Sequence, residues 1–141
     1  MFTSVSTRSR SANAYLNVGI ETSVGGASPH QLVSLLFEAL QQSLVGAKGA
    51  MLNGNIPVKG RAIGRAVRLL EEGLKAGLDA ERGGELAANL RVVYDICILK
   101  LTEANLRNNP ALIDEAIALI NPIADGWSQI RSQASGNYYQ S

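Results

Sequence analysis

Turn-forming residues divide the middle of this chain into four segments of helical length. They occur at Ser28-Pro29, at 53–57, at 79–84 and at Asn108-Asn109-Pro110, and they leave segments of about 20 to 25 residues between them. Strand signals are nearly absent, because β-branched residues do not alternate with polar ones over a useful length. Connections this short place each helix antiparallel to the next. The positions of the turn-forming residues therefore predict an all-α, antiparallel, up-down-up-down four-helix bundle.

The apolar residues of these segments recur at three- and four-residue steps, which places them on one face of a helix. In the second segment they run from Ile63 to Leu78, while Arg61, Arg65 and Arg68 lie on the opposite face. No aromatic residues interleave with the arginines, so we interpret this stripe as solvated surface rather than a nucleic-acid site.

Three of the predicted helix starts carry capping signals. Ser28 can cap the free amide groups of the first turn, Pro29 needs no hydrogen bond there, and Gln31 can complete a capping box. Asn109-Pro110 likewise combines a capping residue with a proline in the first turn. Gly84 before Glu85 is a weaker signal for the start of a helix. The predicted helices span about 28–53, 57–79, 85–108 and 110–133. Pro122 is expected to kink the last of them.

The composition fits a single domain with one core, because 46% of the 141 residues are apolar. The bundle is expected to span 28–133. Residues 1–27 should form a flexible arm or short cap helix, and 134–141 a disordered tail, since both ends are polar.

Charge and reactive side chains argue against several function classes. The net charge of +1 is too small to drive binding to nucleic acid or anionic lipid. No segment has the roughly 20 apolar residues of a membrane span. A single histidine, His30, and a single cysteine, Cys97, cannot build a metal site or a catalytic triad. We expect a cytoplasmic protein without cofactor or enzymatic activity.

The third and fourth segments carry more apolar surface than one core requires. In the third, a stripe through Leu86, Leu90, Cys97 and Leu101 should face the bundle, and a second stripe lies about 130° around the helix. The fourth has an apolar arc of about 140°. The predicted partner-binding residues on these two helices are Val92, Ile96, Leu99, Leu106, Ile113, Ile117 and Ile120.

The helical periodicity alone leaves two interpretations of this surplus apolar surface open. A central helix that contacts two neighbours is apolar on more than one side. Alternatively, the surplus lines a groove for a partner's amphipathic helix. In that case the N-terminal arm offers a built-in cover, with Tyr15, Leu16 and Ile20 as further predicted contact residues.

Two other functions compete with helix binding. A bundle with two apolar faces can form a homodimer and act as an assembly component. A phosphotransfer domain is less favoured, because it needs an exposed histidine in the middle of a helix and His30 lies in a first turn.

Several short motifs resemble the flagellin export chaperones of the FliS family. They are Asn13-Ala14-Tyr15, Ala27-Ser28-Pro29-His30-Gln31-Leu32, the run from Leu78-Asp79 through Gly83-Gly84-Glu85-Leu86-Ala87 to Asn89-Leu90, Val93-Tyr94-Asp95, and Trp127 near the end of the last helix. The similarity covers about residues 13–130. Phe37-Glu38 departs from the Tyr-Asp common in that family, and Pro122 interrupts the last helix.

The resemblance implies a cytoplasmic chaperone with two partners. It would bind the C-terminal segment of new flagellin, which prevents premature polymerisation, and deliver it to the flagellar type III export gate. The flagellin segment would become helical around the bundle.

Overall fold

The computed structural model describes residues 28–130, which form four helices connected by short turns. Helix α1 spans Pro29–Leu52, α2 spans Ile56–Arg68 and continues as a π-helical segment at Leu69–Lys75, α3 spans Ala80–Arg107, and α4 spans Pro110–Gln129. Each helix packs against the next, and α4 returns to pack against α1. The prediction of an all-α four-helix bundle is confirmed. The expected arm, 1–27, and tail, 134–141, lie outside the described residues.

Side chains cap the helix starts where the sequence predicts them. The backbone amide of Gln31 donates to Ser28 Oγ at 3.1 Å, and the Ser28 amide donates to Gln31 Oε1 at 2.8 Å. This is the predicted capping box. At α4, Asn109 Oδ1 accepts a hydrogen bond from the Ala111 amide at 3.0 Å.

Helix α3 begins at Ala80 rather than at residue 85. Asp79 is its N-cap, because its carboxylate accepts hydrogen bonds from the amides of Glu81 and Arg82. At Gly84 the backbone leaves helical geometry, with φ 53° and ψ −127°. Such a conformation favours glycine strongly. The first turn of α3 is therefore a separate short piece, and the regular helix resumes where the sequence analysis placed its start.

The second predicted helix, 57–79, is α-helical only as far as Arg68. From Leu69 the chain winds as a π-helix, which has more residues per turn. As a result the consecutive residues Leu69 and Leu70 are both fully buried. Gly73 makes this packing possible, because a Cβ atom on it would lie 2.8 Å from Leu36 Cδ2 of α1.

Helix α4 runs through Pro122 without a break in its helical assignment, and the kink expected there stays a prediction. The proline is on the exposed side of the helix. Next to it, Asn121 Oδ1 accepts a hydrogen bond from Gln41 Nε2 of α1 at 3.0 Å, which ties the two helices together at this level.

Candidate partner-binding surface

A row of large apolar side chains lies exposed along α3. Val92, Ile96, Leu99 and Leu106 are 56%, 39%, 70% and 83% exposed. At 100° per residue they fall within an arc of about 80°, and at 1.5 Å per residue they extend over about 21 Å. We call these four residues the α3 row. The buried residues of α3, among them Tyr94, Cys97 and Leu101, occupy the other side of the helix.

Two salt bridges hold α3 in the rotation that exposes this row. Lys100 Nζ lies 2.6 Å from Glu115 Oε1 of α4. On the other flank, Asp95 Oδ1 lies 2.7 Å from Lys75 Nζ at the end of the π-helical segment. By helical angle the α3 row lies between Asp95 and Lys100, on the solvent side. Both carboxylates raise the pKa of their lysine partners above its usual value, mainly through these hydrogen bonds.

The predicted contact residues of α4 lie differently from those of α3. Ile113 and Ile120 are fully buried in the bundle core, and Ile117 is half-buried and packs against that core. A partner on the surface of this structure cannot touch Ile113 or Ile120. The wide apolar arc of α4 is the face of a helix that contacts both α1 and α3, as wide arcs often are.

An apolar cavity of about 280 Å³ opens at the end of the bundle where α1 and α3 begin and α4 ends. We call it the end cavity. Its wall is formed by Phe37 of α1, Leu86 and Leu90 of α3, Pro122, Ile123, Gly126 and Trp127 of α4, and Ile130. Leu86 and Leu90 belong to the stripe that was expected to face the bundle core, and no cavity was expected there. The double glycine at 83–84, which interrupts α3 just before Leu86, was the available signal.

His30 packs against Trp127 at the same end of the bundle. The two rings stack with centroids 4.7 Å apart. Trp127 Nε1 donates to the His30 carbonyl oxygen at 3.3 Å, and His30 Nε2 lies 3.2 Å from the Trp127 carbonyl oxygen. These contacts join the start of α1 to the end of α4. A phosphotransfer histidine needs an exposed position in the middle of a helix, and His30 does not have one.

The described residues offer little reactive chemistry. Cys97 is fully buried, and burial raises the pKa of its thiol to about 11, so it is a poor nucleophile. Within residues 28–130, no group of three or more His, Cys, Asp or Glu side chains is placed to hold a metal ion. None of the four helices is long and apolar enough to cross a membrane.

Comparison with known proteins places the chain among flagellar proteins. Residues 11–134 match the family described as Flagellar protein FliS. The flagellar secretion chaperone FliS of Salmonella typhimurium is 44% identical over 122 residues, which cover 86% of this chain and 90% of that protein. FliSB of Pseudomonas aeruginosa is 44% identical over 82% and 91% of the two chains, and FliS of Escherichia coli is 37% identical over 85% and 88%.

Proposed function

Because the chain belongs to the FliS family of flagellar proteins, we propose that it binds the C-terminal segment of flagellin in the cytoplasm and delivers it to the flagellar type III export apparatus. The coarser role, a flagellar secretion chaperone rather than an enzyme, rests on the family and on the names of its relatives. The proposal adds the client, the destination and the surface that holds the client.

The observation that carries the proposal is the α3 row. Large aliphatic side chains on one helical face, spaced over four turns, are what an amphipathic helix of a partner packs against. Leaving such a side chain in water forgoes about 1.5–3 kcal/mol of burial free energy. Burial of the α3 row under a client contributes part of that free energy to binding, and the ordering of the client's own chain opposes binding. Binding that orders a disordered segment fits a chaperone that later releases its client.

Holding the flagellin end in this way would prevent polymerisation by occupying the apolar residues that the client needs for assembly. We include Ile117 as a contact only at the edge of the groove, since it is half-buried. Tyr15, Leu16 and Ile20 remain contacts predicted from sequence, because they lie outside the described residues. Delivery to an export-gate component is supported by the word secretion in the names of the relatives.

The surface is tested by placing a charge in the middle of the α3 row. Leu99→Asp is expected to weaken binding of a synthetic flagellin C-terminal peptide by about 10- to 100-fold, because it removes the burial of one leucine and adds a carboxylate that must be desolvated. Isothermal titration calorimetry measures the affinity. Leu99 is largely exposed, so far-UV circular dichroism of the variant should match that of the unaltered protein.

Val45→Asp is the matched control, because Val45 is also apolar, 66% exposed and on a helix, but belongs to α1. Equal weakening by both variants would show that the α3 row is not the site. Ile96→Asp should behave as Leu99→Asp does, and a loss of helicity along with binding would assign Ile96 to the core instead.

The same row also fits self-association, so the rival function is a homodimeric assembly component. Sedimentation velocity of the chain alone and with the peptide separates the two. A chaperone takes up the peptide, whereas a stable dimer that is indifferent to peptide would contradict the proposal.

A further inference from the structure

The end cavity lies where the chain leaves the bundle. Ile130 forms part of the cavity wall and is also the C-cap of α4, with extended backbone angles of φ −85° and ψ 124°. The segment that follows, 131–141, therefore starts at the cavity itself. Any apolar side chain in that segment is tethered close to an apolar site.

The shape and chemistry of the cavity fit one aromatic side chain with a polar tip. A dry cavity of about 150 Å³ is enough to hold benzene, so a volume of about 280 Å³ accommodates a phenol ring. Apolar side chains and one glycine form the wall, and one side is open to solvent. A tyrosine can bury its ring there while its hydroxyl group stays in water.

The C-terminal segment contains such side chains within reach. Within 131–141 the large apolar residues are Tyr138 and Tyr139, and the others are Arg, Ser, Gln, Ala, Gly and Asn. Tyr138 lies eight positions after Ile130, and a fully extended chain of that length spans about 26 Å. The residues between them can serve as a loose tether, and a short tether of this kind gives a millimolar effective concentration.

We propose that the Tyr138–Tyr139 pair of this chain's own C-terminal segment docks in the end cavity and covers Trp127. One of the two rings enters between Leu86 of α3 and Gly126 of α4, and the rest of the tail acts as the tether. Docking closes an apolar opening that would otherwise be exposed to other proteins. The proposal does not depend on the client of the chaperone, since the end cavity and the α3 row share no residue.

The N-terminal arm is the rival occupant, and the geometry favours the tail. Tyr15 lies thirteen residues before Ser28, a longer tether than the eight residues before Tyr138. The arm enters the bundle at Ser28, next to His30, and His30 stacks on Trp127 without lining the cavity. The tail instead continues from a residue of the cavity wall.

Trp127 is the only tryptophan of the chain and lines the cavity, so it reports directly on docking. In the full-length protein, the double substitution Tyr138→Ser with Tyr139→Ser is expected to raise acrylamide quenching of Trp127 fluorescence about twofold, because Trp127 is only 5% exposed and the quencher reaches its indole through the cavity that a tyrosine ring no longer fills. The Trp127 indole N–H resonance in NMR spectra should shift as well. Asn137→Ser with Gln140→Ser, in the same tail, should change neither.

A cavity-filling variant provides the second measurement. A Cβ atom on Gly126 meets no atom within 4 Å, so Gly126→Leu fills the cavity without disturbing the fold. In this background the tyrosine substitutions should no longer shift the Trp127 indole N–H resonance, since the tail has no site to leave. If the tyrosine substitutions shift the Trp127 indole N–H resonance in the Gly126→Leu protein as much as in the unaltered one, the proposal is overturned.

Two other results would also overturn it. If Tyr15→Ser exposes Trp127 and the tail substitutions do not, the arm is the occupant. If the quenching of the unaltered protein rises on dilution, with a matching loss of dimer in sedimentation, a second copy of the chain covers the cavity.

Discussion

Lys59 is a buried lysine without a carboxylate partner among the described residues, and it stabilises the end of a neighbouring helix. Only 6% of its surface is exposed. Its ammonium group donates to the Asn105 carbonyl oxygen at 3.2 Å and to Asn108 Oδ1 at 3.1 Å. Asn108 is the C-cap of α3 and has the left-handed conformation, with φ 56°. A cation at this position satisfies free carbonyl groups and opposes the negative end of the helix dipole.

Lys59→Met is therefore expected to lower the free energy of unfolding by about 1–2 kcal/mol, because it removes two charge-assisted hydrogen bonds at the end of α3. Urea denaturation measures the change. Arg61→Met is the control, since Arg61 is exposed on the same helix and its replacement should cost less than about 0.5 kcal/mol. Equal effects of the two substitutions would show that the hydrogen bonds of Lys59 add nothing.

At the level of single elements, the π-helical segment shows how one residue sets the packing of a helix. Gly73 lies where α1 and the π-helical segment approach closely, with Leu36 on the other side. Inside a helix, a glycine at this position is less favourable than an alanine would be. In return the two helices come closer than any side chain at this position would allow. Gly46 in α1 is the opposite case, since a Cβ atom on it would meet nothing within 4 Å.

The two glycines should respond to alanine with opposite signs. Gly73→Ala is expected to lower the free energy of unfolding by about 1–3 kcal/mol, because the new methyl group forces Leu36 to move in a packed core. Gly46→Ala should raise it by about 0.4–1 kcal/mol through reduced freedom of the unfolded chain. Thermal and urea unfolding of both variants check the signs. Stabilisation by Gly73→Ala would mean that Leu36 repacks without cost.

At the scale of the whole molecule, the ion pairs that link the helices make the free energy of unfolding depend on pH. Ion pairs join α1 to α4 through Lys48 and Asp114, at 2.8 Å, and α3 to its two neighbours through Lys75 and Lys100. The pKa values of Lys75 and Lys100 are raised in the folded protein. The ion pairs of these two lysines therefore add to the free energy of unfolding below the ordinary lysine pKa, and this contribution is lost as the pH rises through the pKa of the folded state.

Cys97 adds a titration at lower pH. The pKa of its thiol rises from 9.0 to about 11 in the fold, so the unfolded chain releases this proton first. The free energy of unfolding should therefore fall between about pH 9 and 11, by about 2 kcal/mol from this group. Cys97→Ala should lose stability less steeply over that range, although it starts lower because of the cavity it leaves. Parallel pH curves for the two proteins, measured by urea denaturation, would contradict this account.

The sequence by itself determined that there are four helices, the caps at Ser28 and Asn109, and which residues of one α-helix share a face. Hydrogen bonds at a capping box are local, and the angle between Val92 and Cys97 on one helix follows from the helical period alone. The match to the FliS family was likewise readable from short motifs of the chain.

Only the tertiary structure decided which apolar faces are covered, because burial depends on the helices that pack alongside. Val92 and Ile113 belong to apolar faces of the same kind, yet Val92 lies in water while Ile113 is fully buried against neighbouring helices. The π-helical turn at Leu69 and the end cavity likewise depend on how α1 fits against Gly73 and how α3 restarts after Gly84. Those fits involve residues far apart in the chain, and the period of one helix carries no information about them.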